Sequence, residues 1–220
     1  DKGFFMLVEG GRIDYAGHAN DAGSLLHEIL DFDEAVGMAL AYQRSHPDTL
    51  VVVTADHGTG GFSFSDASVG IAEDLTLDSG IVYQTDWGYP PKDRLEILFR
   101  QNASYPYILQ QAGMDPKKLV ELVLAHTGLE MTMDEAREAL VRDEQGIARP
   151  RDFGPFYSDP DDNASALLGR ALSRHTNVVW STGQHTTDLI PTYGRGPGAE
   201  KLRGIYRNTH IHSVMRETLE

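Results

Sequence analysis

Two short apolar runs early in the chain each end in polar side chains that can bind metal ions, and this repeated order most constrains the fold. The first run, residues 4–8, has the length of a buried strand and is followed by Glu9. The second, residues 50–55, is rich in β-branched residues and continuously apolar, which is typical of a central strand covered on both faces. It leads into Asp56 and His57, and the glycines that follow allow the backbone to turn.

The residues between the two runs have the spacing of a helix. Apolar positions recur with helical period over residues 31–46, and Asp31 or Asp33 is a suitable cap. Strand, loop, helix, strand and loop is the order of a βαβ unit, whose right-handed crossover brings both loops to one edge of a parallel sheet. We therefore expect an α/β fold with a central, mostly parallel sheet and with the polar residues of both loops gathered together.

Asp14 and His18 lie four residues apart and share one face if their segment is helical. A carboxylate with an imidazole suits zinc, whereas a lone carboxylate such as Glu9 suits a harder ion such as magnesium. The same Asp–His spacing is common on solvated helices, so alone it does not identify a metal site. A third apolar run, residues 177–180, leads to His185. A distant His joining Asp14 and His18 would complete a three-ligand zinc site with an open position.

These motifs resemble the carboxyl-terminal part of the alkaline phosphatases. The resemblance is carried by residues 8–18, 53–57 and 183–186, and it is strongest over residues 3–64 and 177–215. It implies an alkaline-phosphatase-like three-layer sandwich and a set of two Zn²⁺ and one Mg²⁺. The implied ligands are Asp14, His18 and His185 for one zinc, Asp56 and His57 for the second, and Glu9 for the magnesium. Tyr15 stands where family members carry Lys or Trp, so the identity of the third metal stays open.

The resemblance implies a metal-dependent phosphomonoesterase that forms a phosphoserine intermediate and releases inorganic phosphate. In the family the serine follows an aspartate at the start of a helix, but the only Asp-Ser pair here, Asp78-Ser79, has the pattern of a turn before a strand. We therefore identify no catalytic residue in this chain and expect the serine in an amino-terminal segment that the sequence lacks. The family also implies a periplasmic or secreted protein, and its members are often homodimers.

Two alternatives stay open from the residues alone. Related metallo-phosphodiesterases and phosphomutases share the paired Asp-His motif, and a metal-binding fragment without chemistry of its own would carry the same ligands. The Gly-Gln-His-Thr segment and Glu9 favour the monoesterase.

Charge and length bound the partners and the domain organisation. The net charge of −14 argues against nucleic-acid binding, which needs a basic surface. Bound metal of about +6 would still make the local field attractive to a phosphate monoester. No run of residues is apolar and long enough for a membrane span. We expect a core over residues 1–64, a mainly helical insertion over 65–175 that forms a cap or interface, and a return to the core over 176–220.

Overall fold

The computed structural model of the chain is rich in α-helices joined by short strands. It describes residues 3–65, 73–83, 93–148, 156–157 and 159–219. Within these ranges the helices are α1 (Gly11–His18), α2 (Ala22–Ser45), α3 (Asp93–Phe99), α4 (Tyr105–Ala112), α5 (Pro116–Thr127), α6 (Met133–Ala139), α7 (Pro160–Thr176) and α8 (Thr209–Leu219), with a 3₁₀ helix at Ala199–Leu202. The strands are β1 (Val51–Val53), β2 (Gly58–Thr59), β3 (Ser63–Phe64), β4 (Leu75–Thr76), β5 (Val82–Tyr83), β6 (Val178–Val179), β7 (His185–Thr186) and β8 (Tyr193–Arg195). None of these described helices is long and apolar enough to span a membrane.

The described strands pair two by two, and each pair is antiparallel. β1 pairs with β8, β2 with β7, β3 with β6, and β4 with β5. Three of these pairs join residues 51–64 to residues 178–195, so the second and third polar loops are brought together across more than a hundred residues. The central parallel sheet expected from the sequence is not seen among the described residues, where antiparallel pairing brings the loops together instead.

Residues 4–8 do not form the buried strand that their apolar pattern predicts. Phe4 is 58% exposed and Leu7 is 80% exposed. A strand is stable only when its backbone groups pair with a neighbour, and no described strand pairs with this segment. The predicted βαβ unit therefore lacks its first strand in the described structure.

The helix between the first two loops is longer than predicted. α2 begins at Ala22 rather than near Asp31, and its cap is Asp21, whose carboxylate accepts hydrogen bonds from the backbone N–H and hydroxyl of Ser24. The same carboxylate accepts from the Gln101 amide at 2.6 Å and from the Tyr105 backbone N–H at 2.7 Å. These buried contacts hold the first turns of α2 in place although glycine and serine are weak helix formers.

Helices α4 to α7 pack around the main hydrophobic core. Its fully buried members include Ile108, Leu119, Val123, Leu168 and Leu172. The mainly helical character expected of residues 65–175 is seen here, and α6 begins at a capping box formed by Thr132 and Glu135. Arg174 on α7 donates to Glu135 at 2.8 Å, which joins α6 to α7. α4 begins after Ser104, whose hydroxyl accepts from Tyr107 N–H.

Candidate metal centre

Helix α1 presents two of the predicted ligands on one face. Asp14 and His18 lie one turn apart, and Oδ2 of Asp14 is 3.4 Å from Nε2 of His18. Both side chains are partly buried, and the helix packs against α2 and β2. The helical turn that the sequence argument required is therefore present.

The pairing of β2 with β7 brings His185 to this face. Thr59 lies opposite His185 in the register, and Gly60 N–H donates to the carbonyl of Gln184 at 3.0 Å. Nε2 of His185 is 3.1 Å from Nε2 of His18 and 3.7 Å from Oδ1 of Asp14. A two-residue strand pair thus places the ligand from the third loop beside the ligands from the first.

His57 completes the group from the second loop. Its ring stacks on that of His185 with 3.5 Å between centroids and 19° between planes. Asp14, His57 and His185 each offer a ligand atom, and the three atoms lie within 4.8 Å of one another. Carboxylate oxygen and imidazole nitrogen are the donors that zinc prefers, so these residues fit the metal that the resemblance implies.

A backbone carbonyl fixes the tautomer of His18. Nδ1 of His18 lies 2.6 Å from the carbonyl oxygen of Gly183, and a carbonyl only accepts, so Nδ1 carries the proton. In the neutral ring the lone pair is then on Nε2, the nitrogen that lies 3.1 Å from Nε2 of His185. Such a bond on the far ring nitrogen is the usual way in which a protein orients a zinc-binding imidazole.

Thr59 is a functional candidate that the sequence reasoning missed. Its hydroxyl donates to Oδ1 of Asp14 at 2.5 Å and lies 3.3 Å from Nδ1 of His57. Threonine is not a typical zinc ligand, so a search for ligand types passes over it. The available signal was its position two residues after His57.

Two of the predicted ligands, Asp56 and Glu9, lie outside the group of ligand atoms formed by Asp14, His57 and His185. Asp56 has a side chain that is 85% exposed, and its Oδ2 is 3.1 Å from Nε2 of His57. Glu9 is exposed and precedes α1, and it is not part of the group of ligand atoms within the described residues. The described structure therefore brings Asp14, His18, His57 and His185 together, with Asp56 beside them and Glu9 apart.

An open cleft lies beside these side chains. Its volume is about 450 Å³, within the range of small-molecule sites. The residues that line it are Asp14, Tyr15, His18, Asp159, Pro160, Asp162 and Gln184.

Comparison with known proteins shows the family of this chain. The family model for alkaline phosphatase matches residues 1–145, about two thirds of the chain. The chain belongs to the alkaline phosphatase family. Alkaline phosphatase 4 of Bacillus subtilis is 27% identical over 219 residues, which cover 100% of this chain and 40% of that protein. The chain thus spans about two fifths of the length of this curated alkaline phosphatase.

Solved alkaline phosphatases share the fold. A cold-active alkaline phosphatase from the psychrophile Shewanella sp. superposes with a TM-score of 0.67 at 27% identity, covering 100% of this chain and 46% of that one. The alkaline phosphatase of Thermus thermophilus gives a TM-score of 0.69 at 25% identity, covering 96% of this chain and 42% of that one. The alkaline-phosphatase-like α/β fold expected from the motifs is confirmed, while its central parallel sheet is not.

Proposed function

We propose that this chain supplies most metal ligands of an alkaline phosphatase that hydrolyses phosphate monoesters. The observation that carries the proposal is that Asp14 and His18 of α1, His57 before β2 and His185 of β7 lie together beside an open cleft. Family membership supports the same activity, and the oxygen and nitrogen donors suit zinc.

The proposed ligand assignment has two zinc ions and one magnesium. Asp14, His18 and His185 hold the first zinc, and Asp56 with His57 holds the second. The stacking of His57 on His185 supports sites that are next to each other. Glu9 belongs to the magnesium, whose other ligands we expect outside the described group.

The chain's own residues orient the metal ligands and form one wall of the substrate cleft. Zinc, when bound, supplies positive charge that stabilises the oxygens of a transferring phosphoryl group. Gly183 holds the imidazole of His18 through its carbonyl, and Thr59 holds the carboxylate of Asp14 through its hydroxyl. Because these partners fix the ligands before substrate arrives, little reorganisation is needed during the reaction.

The serine that would carry the phosphoryl group is proposed to lie in an amino-terminal segment of the same protein. Ser79 is a poor candidate, because Asp78 and Ser79 lie in the turn of the β4–β5 hairpin, where Gly80 N–H donates to the carbonyl of Leu77. The chain covers only 40% of a family relative, which leaves room for that segment. We propose that the longer protein forms the phosphoserine intermediate, completes the parallel sheet and assembles as a homodimer. We also propose that it is located in the periplasm or outside the cell.

The proposed domain organisation follows the same division. Residues 1–64 and 176–220 carry the ligands, and the antiparallel strand pairs between them support a common core. Residues 65–175 form an insertion whose helices have their own hydrophobic cluster, as a cap or interface requires.

The activity is tested by comparing two substrates on the whole protein. p-Nitrophenyl phosphate is a monoester, and bis(p-nitrophenyl) phosphate is the matching diester. We expect zinc-dependent hydrolysis of the monoester with far slower hydrolysis of the diester. Preference for the diester would favour a phosphodiesterase, and zinc binding without hydrolysis of either ester would favour a metal-binding module. Hydrolysis of the monoester by this chain alone would contradict the proposal that the serine nucleophile lies in an amino-terminal segment.

A further inference from the structure

Asn20 lies between the first metal-ligand helix and α2, two residues after His18. It is fully buried, and its backbone has a φ of 50°, a left-handed conformation that asparagine tolerates better than most residues. Nothing in its type marks it as a metal ligand, and it does not touch the cleft described above.

The side chain of Asn20 joins two ligand-bearing segments. Its Nδ2 donates to the carbonyl of Gly17 at 2.9 Å and to the carbonyl of Thr182 at 3.0 Å. Its Oδ1 accepts from the hydroxyl of Tyr157 at 3.0 Å. Both amide protons and the amide oxygen are therefore used inside the protein, which fixes the orientation of the amide group.

One carbonyl precedes a proposed metal ligand, and the other precedes a residue that hydrogen-bonds to that ligand. Gly17 directly precedes His18, and Thr182 directly precedes Gly183, whose carbonyl accepts from His18. His185 follows two residues later and faces His18 at 3.1 Å. Loss of the Asn20 amide would remove one of the links between the two segments, leaving the bond from His18 to Gly183 and every proposed ligand in the chain.

We propose that Asn20 is a positioning residue that sets the separation of His18 and His185, and through it the zinc affinity of the site. This inference rests on the proposed metal assignment and adds to it a residue that touches neither metal nor substrate. Tyr157 supports Asn20 from the other side, and the guanidinium of Arg170 lies 5.1 Å from the centre of the Tyr157 ring.

Asn177 provides a matched control. It is the other non-glycine residue with positive φ in the described part of the chain, at 57°. Its Nδ2 also donates to a backbone carbonyl, that of Ser65 at 3.3 Å, but it joins the end of α7 to the segment after β3 rather than two ligand segments. Glycine adopts positive φ without strain, so Asn20→Gly and Asn177→Gly remove the side chain and keep the backbone conformation.

The test measures the zinc Kd by competition with a chromophoric chelator, the visible spectrum after Co²⁺ replaces zinc, and the Tm of the metal-free protein. We expect Asn20→Gly to raise the zinc Kd about 10- to 100-fold, as loss of a group that orients metal ligands does, and to alter the cobalt spectrum. Asn177→Gly should lower the Tm, by less because it loses one bond rather than three, and should leave the zinc Kd and the cobalt spectrum of the parent. With excess zinc, Asn20→Gly should regain its activity, because Asn20 touches no reacting atom.

The inference is overturned if Asn20→Gly binds zinc as the parent does, or if Asn177→Gly weakens zinc binding equally. If Asn20→Gly does not fold, Tyr157→Phe decides, with a smaller rise in the zinc Kd expected and an unchanged Kd contradicting the inference. A parent that binds zinc but does not hydrolyse phosphate monoesters would sink the proposed activity and leave this inference standing. A parent that binds no zinc would sink both.

Discussion

At the scale of single residues, the candidate metal centre includes hydrogen-bonding side chains that are not predicted ligands. Thr59 and Asn20 make the hydrogen bonds that hold Asp14 and the loops around His18 in place. Each bond is short and at least partly shielded from water, where an unpaired partner is costly. Their loss should change metal binding more than it changes the fold.

We predict that Thr59→Val weakens zinc binding, because valine has the shape of threonine but cannot donate to Asp14. The zinc Kd should rise about 10- to 100-fold. Thr59→Ser keeps the hydroxyl and is the control, with a Kd within a few-fold of the parent. Equal Kd values for Thr59→Val and the parent, measured by chelator competition, would show that the hydroxyl does not orient Asp14.

The candidate ligands could be selected from the sequence, whereas the residues that hydrogen-bond to them could not. Asp14, His18, His57 and His185 stand out because carboxylates and imidazoles follow apolar runs, and the structure brings all four together. The position of Thr59 depends on the register of β2 against β7, which no local pattern reveals. A hydroxyl or amide gains its role only from such long-range contacts.

At the scale of secondary-structure elements, the start of α2 is fixed by tertiary contacts. Asp21 is buried, and burial raises the pKa of its carboxyl group, while hydrogen bonds from Tyr105, Ser24 and Gln101 oppose that rise. The amide of Gln101 reaches Asp21 because Gly23 has no side chain. Sequence periodicity placed the helix start some ten residues too late, since it cannot register a cap whose partners lie eighty residues away.

We predict opposite effects for two Gly→Ala substitutions in α2. A Cβ at Gly23 would lie 2.4 Å from Cδ and 2.8 Å from Cβ of Gln101, so Gly23→Ala should lower the free energy of unfolding by about 1–3 kcal/mol. A Cβ at Gly37 would meet nothing within 4 Å, so Gly37→Ala should raise it by about 0.5–1 kcal/mol. Urea unfolding measures both, and a stabilising Gly23→Ala would contradict the described packing.

The contact between α6 and α7 makes a pH-dependent contribution to stability. Hydrogen bonds from Arg174 to Glu135 lower the pKa of that carboxyl from 4.5 to about 2. Because the pKa is lower in the folded state, the contribution is complete above pH 4.5 and is lost as the pH falls toward 2.

We predict that Glu135→Gln loses less stability than the parent protein when the pH is lowered. The parent should lose stability more steeply than the variant between pH 4.5 and pH 2, since glutamine has no charge to lose. The Tm of the metal-free protein as a function of pH measures this, with Asp134→Asn as a control on the exposed pair with Arg137. Parallel pH profiles for Glu135→Gln and the parent would contradict the assignment.

At the scale of the whole molecule, the short motifs predicted the family and the α/β fold, while the pairing of the strands escaped prediction. A run of apolar residues indicates a preference for extended, buried backbone. A strand also needs a neighbouring strand with which its backbone groups can form hydrogen bonds. Residues 50–55 find one in β8, whereas residues 4–8 have none among the described strands and remain exposed. The helical core around Ile108 and Leu168 was foreseen only as part of a mainly helical insertion, because α4 has eight residues, too few for a periodic pattern to stand out.

The most direct test of the proposed metal centre is the zinc content of the whole protein, measured by mass spectrometry after exhaustive dialysis. We predict about two zinc ions per chain in the parent and about one in His185→Ala, because His185 completes one site. His126→Ala should keep the parent content, since His126 lies by Asn102, away from the ligand cluster. An unchanged zinc content in His185→Ala would contradict the central claim that α1, the segment before β2 and β7 together bind zinc.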